Sequence, residues 1–157
     1  MQLRHAVRAL LVTKDSRILL MKLRLHDPDR EIWIAPGGGI EVGENSRIAL
    51  VRELFEETGN REITIGPMVW RRQHAFRLDG HEIRQHEEFF LCQTPEFEAT
   101  PVHLQGPLEK DCFRELRWWS LEEIGQSAEW FVPQNLAEEL TKLLRGEGCV
   151  YPIDVGH

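Results

Sequence analysis

Short apolar runs broken by turn-forming residues dominate the pattern of this chain, and a helical period takes over in only a few stretches. Residues Ala6–Thr13 and Arg17–Leu25 predict two strands joined by a turn at Lys14–Asp15–Ser16. The polar run His26–Glu31, with Pro28 inside it, predicts a loop, and Trp33–Pro36 a short strand that leads into three consecutive glycines. A helix is predicted over Ser46–Thr58, with Asn45 or Ser46 to cap its start and Gly59 or Asn60 its end. Ile63–Ile65 opens another extended region, and Val69–Leu78 and Glu82–Cys92 flank an Asp79–Gly80 pair, a strong hairpin signal. Thr94–Asp111 carries prolines and few apolar residues in register, and predicts a loop. Leu116–Ile124 predicts a strand entering a short helix, and Asn135–Arg145 a final amphipathic helix; residues 146–157 show no clear pattern. Strands outnumber helices, and hairpins mix with crossovers. The expectation is one α/β (α+β) domain over residues 1–157, with a mixed sheet covered by helices.

Composition agrees with an ordinary globular chain: 157 residues, 41% apolar and 29% charged. The net charge of -7 argues against a coat for polymeric nucleic acid or an anionic membrane, both of which need basic patches. Small phosphorylated substrates stay open, because a divalent cation can supply the positive charge. Cys92, Cys112 and Cys149 form no Cys-x-x-Cys pair, which points to a reduced, cytoplasmic setting. The apolar run Ala6–Val12 is too short for an export signal and is interrupted by Arg8.

The chemistry concentrates between Ala35 and Asn60, where five glutamates and five glycines share 26 residues. At about 100° per residue, Glu56 and Glu57 fall roughly 60° and 40° to either side of Glu53, so the three carboxylates share one helical face. Ile48, Val51, Leu54 and Phe55 fall on the opposite side, and that face is expected to pack on the sheet. Arg52, four residues before Glu56, is placed to pair with it. Like charges at this spacing destabilise a helix unless something neutralises them. A hard divalent cation does so, since it is bound by carboxylate oxygens, water and substrate phosphates. The glycines leave backbone carbonyls and amides open to a metal or a phosphate.

Gly38, Glu44 and the run Arg52-Glu53-Leu54-Phe55-Glu56-Glu57-Thr58-Gly59 together resemble the Nudix box of the Nudix hydrolases. Asn60 departs from that pattern, where an aliphatic residue is usual. The resemblance implies an α/β/α sandwich with a central mixed β-sheet. It also implies hydrolysis of a nucleoside diphosphate linked to another group, by water activated with Mg²⁺ or Mn²⁺. On that resemblance Glu53, Glu56 and Glu57 bind metal, Glu53 is a candidate base, and a carbonyl of Gly37 or Gly38 joins the shell. Arg52 orients a glutamate, and Glu44 is either a ligand through water or a contact at the helix start. The expected partner is a small nucleotide, a nucleoside di- or triphosphate by preference, acted on by a monomer or homodimer. Two alternatives share the fold: a nucleotide-sensing module without turnover, and an isomerase of isoprenoid diphosphates, which would want a catalytic cysteine.

Outside this stretch, strand alternation puts Glu87 with Phe89 and Glu88 with Phe90, so one glutamate of the pair faces the site. Glu87 is the expected base or additional ligand, because its surroundings resemble an Arg-Gln-x-Glu pattern of some Nudix sequences. Arg72 and Arg84, among the arginines of the hairpin, are candidates for phosphate or ribose contacts. Trp33 and Trp118 are candidates for the nucleobase, each weighed against a place in the core. No histidine spacing suits zinc.

Overall fold

A computed structural model describes residues 2–26, 28–104, 109–147 and 150–156. In chain order these form β1 (Gln2–Val12), β2 (Arg17–His26), β3 (Asp29–Ile34), β4 (Gly37–Gly39), α1 (Ser46–Thr58), β5 (Met68–Leu78) and β6 (His81–Gln93). Then follow α2 (Glu109–Cys112), β7 (Phe113–Ser120), α3 (Leu121–Gln126), β8 (Trp130–Val132), α4 (Leu136–Arg145) and β9 (Ile153–Asp154). The strands pair in the order β8-β3-β2-β1-β6-β5-β9, with β4 also on β1 and β7 also on β2. β1 runs parallel to β6 but antiparallel to β2 and β4, so the sheet is mixed as expected.

Alternation along β1 divides the core. Val7, Ala9 and Leu11 join Ala49, Leu50 and Leu54 of α1 on one face. Leu10 and Val12 join Trp33, Trp70, Trp119 and the α4 residues Leu136, Leu140 and Leu143 on the other. Helices therefore cover both faces, which is the α/β/α sandwich. Arg8 belongs to the α4 side by the same alternation, and it is buried.

Local signals hold where the turn chemistry is specific. Asp79 and Gly80 both take positive φ, 51° and 79°, as a tight hairpin between β5 and β6 requires. Three expectations change. The polar run expected as a loop instead gives His26 to β2 and Asp29–Glu31 to β3, where Arg24 pairs with Asp29 at 2.6 Å and Lys22 with Glu31 at 3.4 Å. The stretch expected as a loop at 94–111 ends in α2, while its residues 105–108 lie outside the described ones, as does Cys149.

The third change concerns α1. Its buried residues are Ala49, Leu50, Leu54, Glu57 and Thr58, whereas Ile48 and Val51 are 54% and 44% exposed. The packing face includes Glu57, rather than lying opposite the carboxylates. Among the described residues no helix is long and apolar enough to cross a membrane.

Candidate active site

α1 is fixed at both ends. The Asn45 side chain accepts from the Ile48 amide, and Gly59, at φ 77°, donates its N–H to the Phe55 carbonyl. Between these caps the helix lays its carboxylates along the glycines of β4. The Gly37 amide donates to Glu57 Oε2 at 2.7 Å. A Cβ built on Gly38 would lie 2.6 Å from the Glu53 carboxylate, so the space that any side chain would take at 38 holds that carboxylate instead. At Gly37 a Cβ would lie 1.9 Å from the Val7 carbonyl oxygen, and φ is +148°.

Arg52 lies at the centre of the remaining carboxylates. Its guanidinium donates to Glu44 through Nε at 2.8 Å and Nη2 at 2.9 Å. It also donates to Glu53 at 2.9 Å, to Glu56 at 3.4 Å and to the Gly39 carbonyl at 3.0 Å. The expected pairing with Glu56 is thus the longest of the set, and Glu44 is the main partner. The hydrogen bond from Arg52 holds the Glu44 carboxyl below the usual carboxylate range, against the effect of burial. Glu44 Oε1 also accepts from the Glu41 amide, which makes Glu44 the holder of Arg52 at the helix start.

Among the described residues no three His, Cys, Asp or Glu side chains converge into a ready ion cage. The donor chemistry nonetheless fits a hard cation: carboxylates of Glu53, Glu56 and Glu57 on one helix side, beside glycine backbone, with one guanidinium among them.

Glu87 is elsewhere. It faces the α4 side, where Arg8 Nε donates to its Oε2 at 2.7 Å, Arg72 donates to its Oε1 and His74 Nε2 lies 3.0 Å from the same oxygen. Burial by itself would raise its carboxyl, but Arg8, His74 and Arg72 override this and hold it far below the usual range. Such a group is a poor general base. Glu88 is the member of the pair on the α1 side, accepting from Ser46 Oγ at 2.6 Å. The pleat puts the two on opposite faces as the alternation predicts, with Glu88 rather than Glu87 on the α1 side.

A cavity of about 810 Å³ opens on the Glu87 side, lined by Arg8, Arg72, Gln85, Phe76 and Trp130 among others. Arg72 therefore reaches a cavity wall; Arg84 is exposed and belongs to the other sheet face. Trp33 is 1% exposed, edge-on to Trp119 and donating to Glu129, so it is core. Trp118 donates to the Phe97 carbonyl and packs edge-on to Phe97, so it too is structural. The aromatic that borders the cavity is Trp130, 48% exposed with the Arg30 guanidinium 4.1 Å above its ring. Its position after the Leu121–Gln126 helix gave no sign of this. Cys92 is buried against α1 with its thiol pushed up by burial, and Cys112 is buried beside Ile34. Cys112 also borders the cavity.

The chain resembles known proteins over most of its length. CTP pyrophosphohydrolase of Escherichia coli (strain K12) is 32% identical over 115 residues, covering 73% of this chain and 75% of the relative. RNA pyrophosphohydrolase of Novosphingobium aromaticivorans is 30% identical over 132 residues, covering 77% and 80%. The solution structure of the E. coli ORF135 protein superposes with a TM-score of 0.59 at 28% identity, covering 96% of both chains. The NUDIX domain model matches residues 2–143, and the chain belongs to the Nudix family.

Proposed function

We propose that this chain is a metal-dependent pyrophosphohydrolase that cleaves a nucleoside di- or triphosphate derivative, NDP-X, to NMP and P-X. The observation that carries this reading is the packing of the α1 carboxylates on glycine backbone, Glu53 against Gly38 and Glu57 on the Gly37 amide. Like charges gathered on a helix and held against bare backbone are costly without a cationic ligand. Hydrolase chemistry on phosphoanhydride bonds is common to the named relatives.

Glu53, Glu56 and Glu57 would hold Mg²⁺ or Mn²⁺, with the Gly38 carbonyl as backbone donor, since the Gly37 carbonyl accepts from Arg8 at 3.1 Å. Bound there, the cation supplies charge neutralisation for phosphate oxygens and lowers the pKa of a bound water. Arg52 spaces and orients Glu53 and Glu56, and Glu44 holds Arg52. Glu53 is the candidate to take the water's proton, because Glu87 is saturated by arginines. The cavity on the Glu87 side takes the nucleoside part, with Trp130 as stacking surface and Arg72 facing the anionic part.

The test is release of phosphate and nucleotide from a panel that includes CTP, other nucleoside triphosphates, ADP-ribose and a triphosphorylated RNA end. It is run with Mg²⁺, with Mn²⁺ and with chelator, for wild type beside Glu56→Gln and Glu57→Gln. Metal-dependent turnover that both variants lose is the expected result. Tight nucleotide binding without turnover would replace the reading with a sensing module.

A further inference from the structure

Arg8 is a charged side chain on a central strand and is 5% exposed; its carboxylate partner Glu87 is 4% exposed. A buried pair of this kind contributes little to stability by itself, so its contacts elsewhere are informative. The Arg8 fork, at the cavity wall, also reaches backbone. Nη1 donates to the Gly37 carbonyl at 3.1 Å and to the Ala35 carbonyl at 3.3 Å, while Nε holds Glu87. Gly37 is then gripped on both sides, its carbonyl by Arg8 and its amide by Glu57 of α1. The chain of contacts runs Glu87, Arg8, Gly37, Glu57, from one face of the sheet to the other.

We propose that Glu87 is a positioning residue: it aims Arg8, and Arg8 sets the register of the glycine strand against the α1 carboxylates. This rests on the metal-site reading above but concerns residues that touch neither metal nor water. Arg8 and Arg72 share the carboxylate, so converting it to an amide removes the charged acceptor that fixes Arg8 Nε and loosens the aim of its carbonyl contacts. A lysine at 8 keeps the charge but cannot hold a carboxylate and two carbonyls in one plane.

The experiment compares Glu87→Gln, Arg8→Lys and the double variant. It reads Mn²⁺ binding to the protein alone, hydrogen-exchange protection of the Gly37 amide, and thermal melting. The expected result is a loss of roughly 10–100-fold in Mn²⁺ affinity for each single variant, the range typical of groups that orient ligands. Gly37 protection falls in parallel, while other β1 and β6 amides stay protected. The double variant loses no more than the worse single one. Wild-type Mn²⁺ affinity and Gly37 protection in both single variants would overturn the proposal, as would additive losses. Abolished Mn²⁺ binding in Glu87→Gln with near-normal binding in Arg8→Lys would overturn it too, by making Glu87 a ligand. If wild type binds no Mn²⁺, the metal-site reading fails and Gly37 protection alone decides the relay. Arg8→Lys keeps Glu87 neutralised, so it serves where Glu87→Gln does not fold.

Discussion

A methyl group on Gly37 would lie 1.9 Å from the Val7 carbonyl oxygen at a φ of +148°, whereas the atoms nearest one on Gly38 are those of the Glu53 carboxylate. Backbone cannot give way and a carboxylate can, so the two glycines have different duties. Gly37→Ala should cost at least about 3 kcal/mol, since strain at a glycine-only φ adds to a clash with β1. Gly38→Ala should melt within a few degrees of wild type yet lose roughly 10–100-fold in Mn²⁺ affinity, because Glu53 is displaced. Melting curves and Mn²⁺ titrations of the two variants side by side check this; equal behaviour would sink it. The glutamates and Arg52 were legible because their spacing is local and one helix carries them. Arg8 was not: in the sequence it only interrupts an apolar run, and its partner is 79 positions away. Trp130 was illegible for the same reason, since only the fold brings it to a cavity.

α1 shows how a helix can be found and its orientation missed. It is apolar on two sides, Ala49, Leu50 and Leu54 on one and Ile48, Val51 and Phe55 on the other. Assuming that carboxylates point away from the sheet selects the second together with Leu54, of which Leu54 alone is fully buried. The first packs instead, because Glu53 and Glu57 must reach the glycines of β4, at the margin of the packing face. Leu50→Ala should therefore cost about 2–5 kcal/mol, as buried leucines do. Ile48→Gln should stay within roughly 0.5 kcal/mol. Urea midpoints distinguish the faces, and a reversed order would restore the other orientation. Elements with specific ends were legible: α1 from Asn45 and Gly59, and the β5–β6 hairpin from Asp79–Gly80. β4, β8 and β9 were not, because two or three residues become strands only when a distant partner offers its edge: β1, β3 and β5 respectively.

Across the whole molecule the sheet separates two charge regimes. The α1 side gathers carboxylates around Arg52, while the cavity side carries Arg8, Arg30, Arg72 and Arg77 beside Asp79, Glu87 and Asp111. The buried Arg8–Glu87–Arg72 cluster ties this division to pH. Glu87 has its folded carboxyl held well below the ordinary range, with burial opposed and outweighed by Arg8, His74 and Arg72. A depressed folded pKa means that the stabilisation is complete above the unfolded value, about 4.3, and is lost as pH falls from there toward the folded one. In that window the unfolded chain binds a proton that the folded chain refuses. Each pH unit crossed removes about 1.4 kcal/mol. Glu44, lowered by its hydrogen bond from Arg52, acts in the same direction. Glu87→Gln should then start less stable at pH 7 but lose less between pH 4.3 and 3, so that the two stability curves converge on acidification. Urea unfolding of both proteins from pH 7 to pH 3 measures the convergence. Parallel curves would mean that the cluster takes up its proton in the folded state as readily as in the unfolded one, and that Arg8 holds Gly37 without help from a charged Glu87.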